Sequence, residues 1–162
     1  MPDLGLRQAV ETDAAVVFDL LTALAREIGD APEFRATAAA LRRHGFGPGR
    51  LFHATLAFSD RTPVGLALYF PTFSTTRGAP GVYVQDLFVA AEARGLGLGG
   101  RLLQAVSREA GAAWGATHLT LTVHGDNTAA QDFYRRLGFV LRRGEIPASL
   151  DGLAFAQLSD RA

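Results

Sequence analysis

The sequence predicts an α/β fold, a mixed sheet flanked by helices. Three observations carry that expectation. Short apolar runs rich in β-branched and aromatic residues alternate with longer runs whose apolar residues recur every three or four positions. A glycine-rich run, Arg94-Gly95-Leu96-Gly97-Leu98-Gly99-Gly100, joins a strand-like stretch to a helix-like one. The 162 residues are 48% hydrophobic and 20% charged, an ordinary globular mixture, which suits a single domain over residues 1–162 with one substantial core.

The elements follow in order. Leu4 to Ala9 alternates and reads as a short strand. Thr12 and Asp13 offer N-cap chemistry for a helix to about Arg26, with Val16, Val17, Leu20, Leu21 and Leu24 on its buried face. Gly29-Asp30-Ala31-Pro32 breaks it, and a second helix spans about Ala36 to His44. Leu51 to Phe58 and Val64 to Phe70 are strands joined by Ser59-Asp60-Arg61-Thr62-Pro63, an antiparallel pair. Thr72 to Gly81 is expected as a polar loop, and Val82 to Val89 as the central strand. The helix after the glycine run reaches about Ala113, with Leu98, Leu102, Val106 and Ala110 on one face. His118 to Val123 is a strand, and Thr128 to Leu137 a helix closed by Gly138. Phe139 to Arg142 and Leu153 to Leu158 are expected as final strands. The order is β-α-α-β-β-β-α-β-α-β-β.

Composition excludes several classes of function. Sixteen Lys and Arg, all of them Arg, balance sixteen Asp and Glu, and there is no basic run, so no nucleic-acid partner is indicated. Without cysteine there is no disulfide framework, thiolate metal site or cysteine nucleophile. His44, His53, His118 and His124 show no metal-ligand spacing, and no metal site is expected. No apolar stretch approaches the roughly 20 residues that span a bilayer. Met1-Pro2-Asp3-Leu4 lacks the basic and apolar regions of a signal peptide, so a soluble cytoplasmic protein without membrane partners is the expectation.

The glycine run has the chemistry of an anion cradle. Alternating glycines let the backbone turn with several N–H groups facing inward, and the following helix adds its own unpaired N–H groups and dipole. Arg94 and Arg101 would place guanidinium groups at its edges. A Walker A loop needs a lysine, and the chain has none. Gly95, Gly97 and Gly100 satisfy G-x-G-x-x-G, but a dinucleotide loop follows its strand directly, and here residues 90–94 intervene with too little chain afterwards. A strand-to-helix turn with no ligand is a further reading of the same residues.

Two more segments stand out. Asn127-Thr128-Ala129-Ala130-Gln131-Asp132-Phe133-Tyr134-Arg135-Arg136-Leu137-Gly138-Phe139 begins with a residue able to cap a helix and meet a ligand. Phe133 and Leu137, four apart, should pack inward, with Tyr134 facing elsewhere. On the central strand, Gln85 cannot accept a proton as a base, and Asp86 on a regular strand faces the other side. His124 titrates in a useful range at the end of its strand.

Together these segments resemble the GNAT (GCN5-related N-acetyltransferase) superfamily over essentially the whole chain. Arg-Gly-x-Gly-x-Gly is similar to its acyl-CoA pyrophosphate loop, and N-x-x-A-x-x-F-Y-x-x-x-G-F to its second motif. Within it, Gly45-Phe46-Gly47, residues 64–70, Gln85 to Val89 and Asn127 to Phe139 look most like the spermidine/spermine (diamine) N-acetyltransferase group. The chain departs from that group at Gln85-Asp86, where Glu-Asp is usual, and acidic residues for a polycation look sparse around Arg26 to Asp30.

The resemblance implies a mixed, mostly antiparallel sheet with a splayed central strand pair, and an acetyl-CoA-dependent N-acetyltransferase acting on a small amine (a di- or polyamine, an amino acid or a related amine). Leu87, Phe88 and Val89 would meet pantetheine. Arg94, Gly95, Leu96, Gly97, Leu98, Gly99 and Gly100 would hold the pyrophosphate, with Asn127 and Tyr134 also at the cofactor. Tyr134 would protonate the departing thiolate, and Asp86, His124 or water would deprotonate the amine. The group also implies a homodimer. A non-catalytic CoA-binding module of the same fold is the alternative that Gln85 favours and Tyr134 disfavours.

Overall fold

A computed structural model describes residues 3–159. Backbone contacts divide the chain between Thr122 and Val123 into two compact units. The first unit contains β1 (Leu4–Gln8), α1 (Ala14–Ile28), α2 (Ala38–Gly45), β2 (His53–Ser59), β3 (Thr62–Ser74), β4 (Ala79–Val89), α3 (Leu98–Trp114) and β5 (Leu119–Leu121). The strands form one sheet in sequence order. β1 to β4 are antiparallel neighbours, and β5 runs parallel to β4. A parallel step cannot be made by a hairpin, and α3 supplies the crossover.

Alternation along β3 separates two buried layers. Leu66 and Leu68 pack with Val17, Leu20 and Leu21 of α1 and Leu41 of α2. Tyr69, one residue on, stacks against His53, whose ring lies 5.3 Å from that of Trp114 on α3. The apolar residues of α3 predicted at four-residue spacing, Leu98, Leu102, Val106 and Ala110, are all buried.

β1 is tied to the start of α1 by charge. Asp13 does not use its side chain to cap α1 as its position suggested. Its carboxylate turns back, taking Arg7 bidentately at 2.6 and 2.9 Å and the Val10 N–H at 2.8 Å. The hydrogen-bonded Arg7 guanidinium holds the Asp13 carboxyl below its ordinary value. A lowered carboxylate pKa contributes stability above the unfolded value, near pH ~4, that is lost as pH falls further. Asp13→Ala should therefore cost about 1–3 kcal/mol at neutral pH, an effect that shrinks in acid. Urea unfolding at the two pH values checks both parts. Equal losses at both would remove the ion pair as the cause.

Two boundaries differ from the sequence reading. The expected polar loop over Thr72 to Gly81 is mostly strand: β3 and β4 pair out to Ser74 and Ala79. The turn is confined to residues 75–78, with Gly78 N–H bonded to Ser74 O at 2.7 Å. Polar residues suit the solvated tip of a two-stranded ribbon as well as they suit a loop. The β4–β5 pairing covers Val82 to Val84 alone, so among the described residues the rest of β4 has no partner on that side. This is the expected splay.

The second unit holds α4 (Thr128–Arg136) and α5 (Gly152–Ser159). The side-chain oxygen of Asn127 accepts the Ala130 N–H at 3.0 Å, the predicted cap. At the other end Gly138 N–H bonds to Arg135 O and Phe139 N–H to Tyr134 O, both 3.0 Å, a Schellman closure. That closure brings the Phe139 ring to 5.4 Å from Tyr134, and Phe133 lies 5.2 Å away on another side. Tyr134 is thus the buried residue of α4. Leu137, expected inward, is 46% exposed, because the helix has already ended and Leu137 sits in the turn.

The two final strands are absent. Phe139 to Arg142 has irregular backbone, and residues 153–158 lie inside α5. A strand needs a pairing partner, and Leu-Ala-Phe-Ala-Gln-Leu contains strong helix formers and no β-branched residue. Short apolar runs do not separate the two conformations by periodicity.

Candidate active site

α1, the segment joining it to α2, β3 and β4 surround a cavity of about 560 Å³. Its walls are mainly apolar, with Leu24, Ile28, Phe34, Phe52 and Phe70 among them. Five polar residues line it: Gln85 and Asp86 from β4, and Asp30, Glu33 and Arg35 from the joining segment.

A β-bulge explains how both β4 residues reach this cavity. Leu68 pairs with Asp86 and Tyr69 with Val84, so Gln85 is an extra residue on β4. An inserted residue breaks the two-residue period and lets successive side chains share a face. The expectation that Asp86 would face away from Gln85 assumed a regular strand and is corrected here. Gln85 Nε2 donates to Asp86 Oδ2 at 3.2 Å. Burial raises the Asp86 carboxyl above its ordinary value, and the Gln85 hydrogen bond only partly offsets this. Gln85 is therefore a donor that orients Asp86, where a second carboxylate would have repelled it.

β4 ends at Val89, and after a 3₁₀ turn over Ala91–Ala93 the glycine run begins. Gly95 and Gly97 have φ of +79° and +74°, left-handed conformations that favour glycine. The first bond of α3 runs from Arg101 N–H to Gly97 O at 3.1 Å. The N–H groups of Leu98, Gly99 and Gly100 precede it and have no intrahelical acceptor. A Cβ built at Gly95 or Gly97 would meet nothing within 4 Å, so the space above the turn is open. The run thus presents free N–H donors beside open space, the chemistry of an anion cradle.

The flanking arginines are engaged elsewhere. Arg94 donates through Nε to Val89 O at 2.9 Å and through Nη2 to both carboxylate oxygens of Glu27 on α1. Arg101 donates to Leu4 O at 3.0 Å. These bonds brace the loop against α1 and β1, so the cradle is built from backbone donors. Sequence reasoning also missed Asp30, Glu33 and Arg35. Their signal was a charged stretch around a Gly/Pro helix break, which reads equally as a solvated loop.

Leu87 and Val89 lie on the part of β4 that β5 leaves unpaired; Val89 O already accepts Arg94. Phe88 is buried in the core with α1. In the second unit, His124 is exposed, and its carbonyl accepts the Asn127 N–H at 3.1 Å and the Gln131 side chain at 3.2 Å. Burial raises the Tyr134 phenol above its ordinary value, which keeps it protonated. Among the described residues no cluster of three or more His, Asp or Glu is placed to hold a metal, and no helix is long and apolar enough to cross a membrane.

A strand left unpaired on one side, a run of free N–H donors at a helix start and a carboxylate in an apolar cavity thus lie along one stretch of chain, Gln85 to Gly100. Residues 16–139 match the acetyltransferase (GNAT) family model. The chain belongs to that family and is an N-acetyltransferase. It is 30% identical to bovine (Bos taurus) thialysine N-epsilon-acetyltransferase over 82% of each chain. It is also 30% identical to a human (Homo sapiens) spermidine/spermine N(1)-acetyltransferase-like protein, over 64% of this chain and 16% of that one. Among solved structures, an aminoglycoside N-acetyltransferase in complex with CoA superposes with a TM-score of 0.72 at 18% identity, covering 93% of this chain and 96% of that one.

Proposed function

We propose that this enzyme transfers the acetyl group of acetyl-CoA directly to a primary amine of a small molecule. One observation carries the reading: Asp86 stands in a largely apolar cavity on the strand that leads into the N–H cradle. Gly95 to Gly100 would hold the pyrophosphate, and the unpaired backbone of Leu87 to Val89 would take the pantetheine amides. The names of the curated relatives, which act on thialysine, support an amine on a flexible chain as the acceptor.

An amine reaches the site as an ammonium ion and must lose a proton to attack. Asp86, lifted by burial toward the working pH, accepts a proton from the attacking nitrogen. The nitrogen lone pair forms the C–N bond at the thioester carbonyl, whose oxygen is polarised by backbone N–H groups of β4. The C–S bond then breaks, and the thiolate takes a proton from Tyr134. Holding both reactants together supplies part of the rate through orientation. His124, exposed in its turn, leaves the base role to Asp86.

Thiol release from acetyl-CoA across a panel of primary amines tests the reaction. Tyr134→Phe tests the acid: the ring and its contacts with Phe133 and Phe139 remain, but the proton is gone. The expected result is a loss of roughly 10²-fold in kcat with CoA binding and Tm nearly unchanged. Near-normal turnover would make Tyr134 a packing residue.

A further inference from the structure

We propose that Glu27, on α1, is a positioning residue of the acetyl-CoA site: it holds Arg94, and through Arg94 it fixes the start of the glycine run before the cofactor arrives. The inference rests on the cradle reading above and deepens it, because it assigns a role there to a residue far from the run in sequence. The Arg94 guanidinium fastens three elements. Its Nε donates to the carbonyl of Val89, the last residue of β4, at 2.9 Å. Its Nη2 donates to both carboxylate oxygens of Glu27, in the last turn of α1. The first bond staples the ends of the turn over residues 90–93. The second ties that turn to a helix whose Val17, Leu20 and Leu21 are buried in the core.

The place of the strap gives it its effect. Gly95 and Gly97 follow Arg94, both left-handed and both facing open space. Glycine has more backbone freedom to lose than any other residue when a ligand fixes it. A loop already held in shape spares part of that loss. Two roles for Arg94 make opposite demands on Glu27. If Arg94 is a ligand of the pyrophosphate, Glu27 competes for it, and removing the carboxylate tightens binding. If Arg94 is a strap, Glu27 is its far end, and removing the carboxylate loosens the run and weakens binding. The geometry favours the strap, since Nε and Nη2 are both turned to protein acceptors. Both side chains are about half exposed, and an exposed ion pair adds little to global stability. The effect therefore belongs in cofactor binding and not in Tm.

Calorimetry with CoA on the parent enzyme, Glu27→Gln, Arg94→Met and the double variant tests the proposal. Glu27→Gln keeps the shape and removes the charge; it should weaken CoA about fivefold with Tm unchanged. Arg94→Met keeps an apolar stem and removes all three bonds, and should weaken CoA at least as much. In the Arg94→Met background, Glu27→Gln should change affinity by less than about twofold, because it acts through the arginine. In turnover, KM for acetyl-CoA should rise in step with the binding loss while kcat stays nearly constant, a split that general loosening of the fold would not produce. Tighter or unchanged binding in Glu27→Gln, or additive losses in the double variant, overturns the proposal and leaves the cradle standing. A parent enzyme that binds no CoA overturns the cradle reading and this proposal with it.

Discussion

Asp86→Asn is expected to lower kcat/KM by about 10²- to 10³-fold without lowering stability. Asparagine has nearly the same shape and can still pair with Gln85, so the bulge and cavity wall should persist. What disappears is the lone pair that takes the proton. The stability sign follows from burial. Asp86 has its carboxyl raised in the folded state, so its ionised form is disfavoured there, and that penalty grows as pH rises above the unfolded value near ~4. Asparagine removes the penalty, and Tm at neutral pH should stay level or rise. The pH profile separates the base from other candidates. The acidic limb set by Asp86 should vanish in Asp86→Asn, leaving the titration of the amine itself, and should survive in His124→Ala. A retained limb in Asp86→Asn would move the base elsewhere.

Gly99→Asp should weaken CoA binding more than tenfold, a loss above about 1.4 kcal/mol. Gly99 is in the first turn of α3 and, unlike Gly97, does not have positive φ, so a side chain there adds no left-handed strain. An acidic residue near a helix N-terminus favours the helix. The substitution therefore spares folding while placing negative charge where the pyrophosphate would sit. Calorimetry with CoA reads the loss directly. Unchanged affinity in a folded variant would remove the cradle assignment.

Local chemistry was the part most legible in the sequence. The glycine run, the Asn127 cap, the buried face of α3 and the order of the first eight elements all follow from spacing and composition. The features missed are those set by tertiary context. Nothing in Gln85-Asp86 announces a bulge, because a bulge is a mismatch between two paired strands and only one is visible at a time. The diversion of Arg94 to Glu27 joins residues 67 apart in the chain. Asp30, Glu33 and Arg35 are close in sequence, but they share a cavity with Gln85 and Asp86 only once α1 and α2 are folded over β3 and β4. Leu153 to Leu158 was misjudged for a different reason, since a short run of five apolar or small residues and one glutamine satisfies either conformation until a pairing partner is found or lacking.

The central claim is direct transfer from acetyl-CoA to an acceptor amine held in the cavity. Its most direct measurement is mass spectrometry of protein and small molecules together, after mixing enzyme, acetyl-CoA and the amine panel. The expected result is free CoA and N-acetylated amine in equal amounts, CoA release that requires the amine, and protein of unchanged mass. CoA bound without acetylated product from any amine, or an acetylated protein that forms before the amine is added, would contradict it.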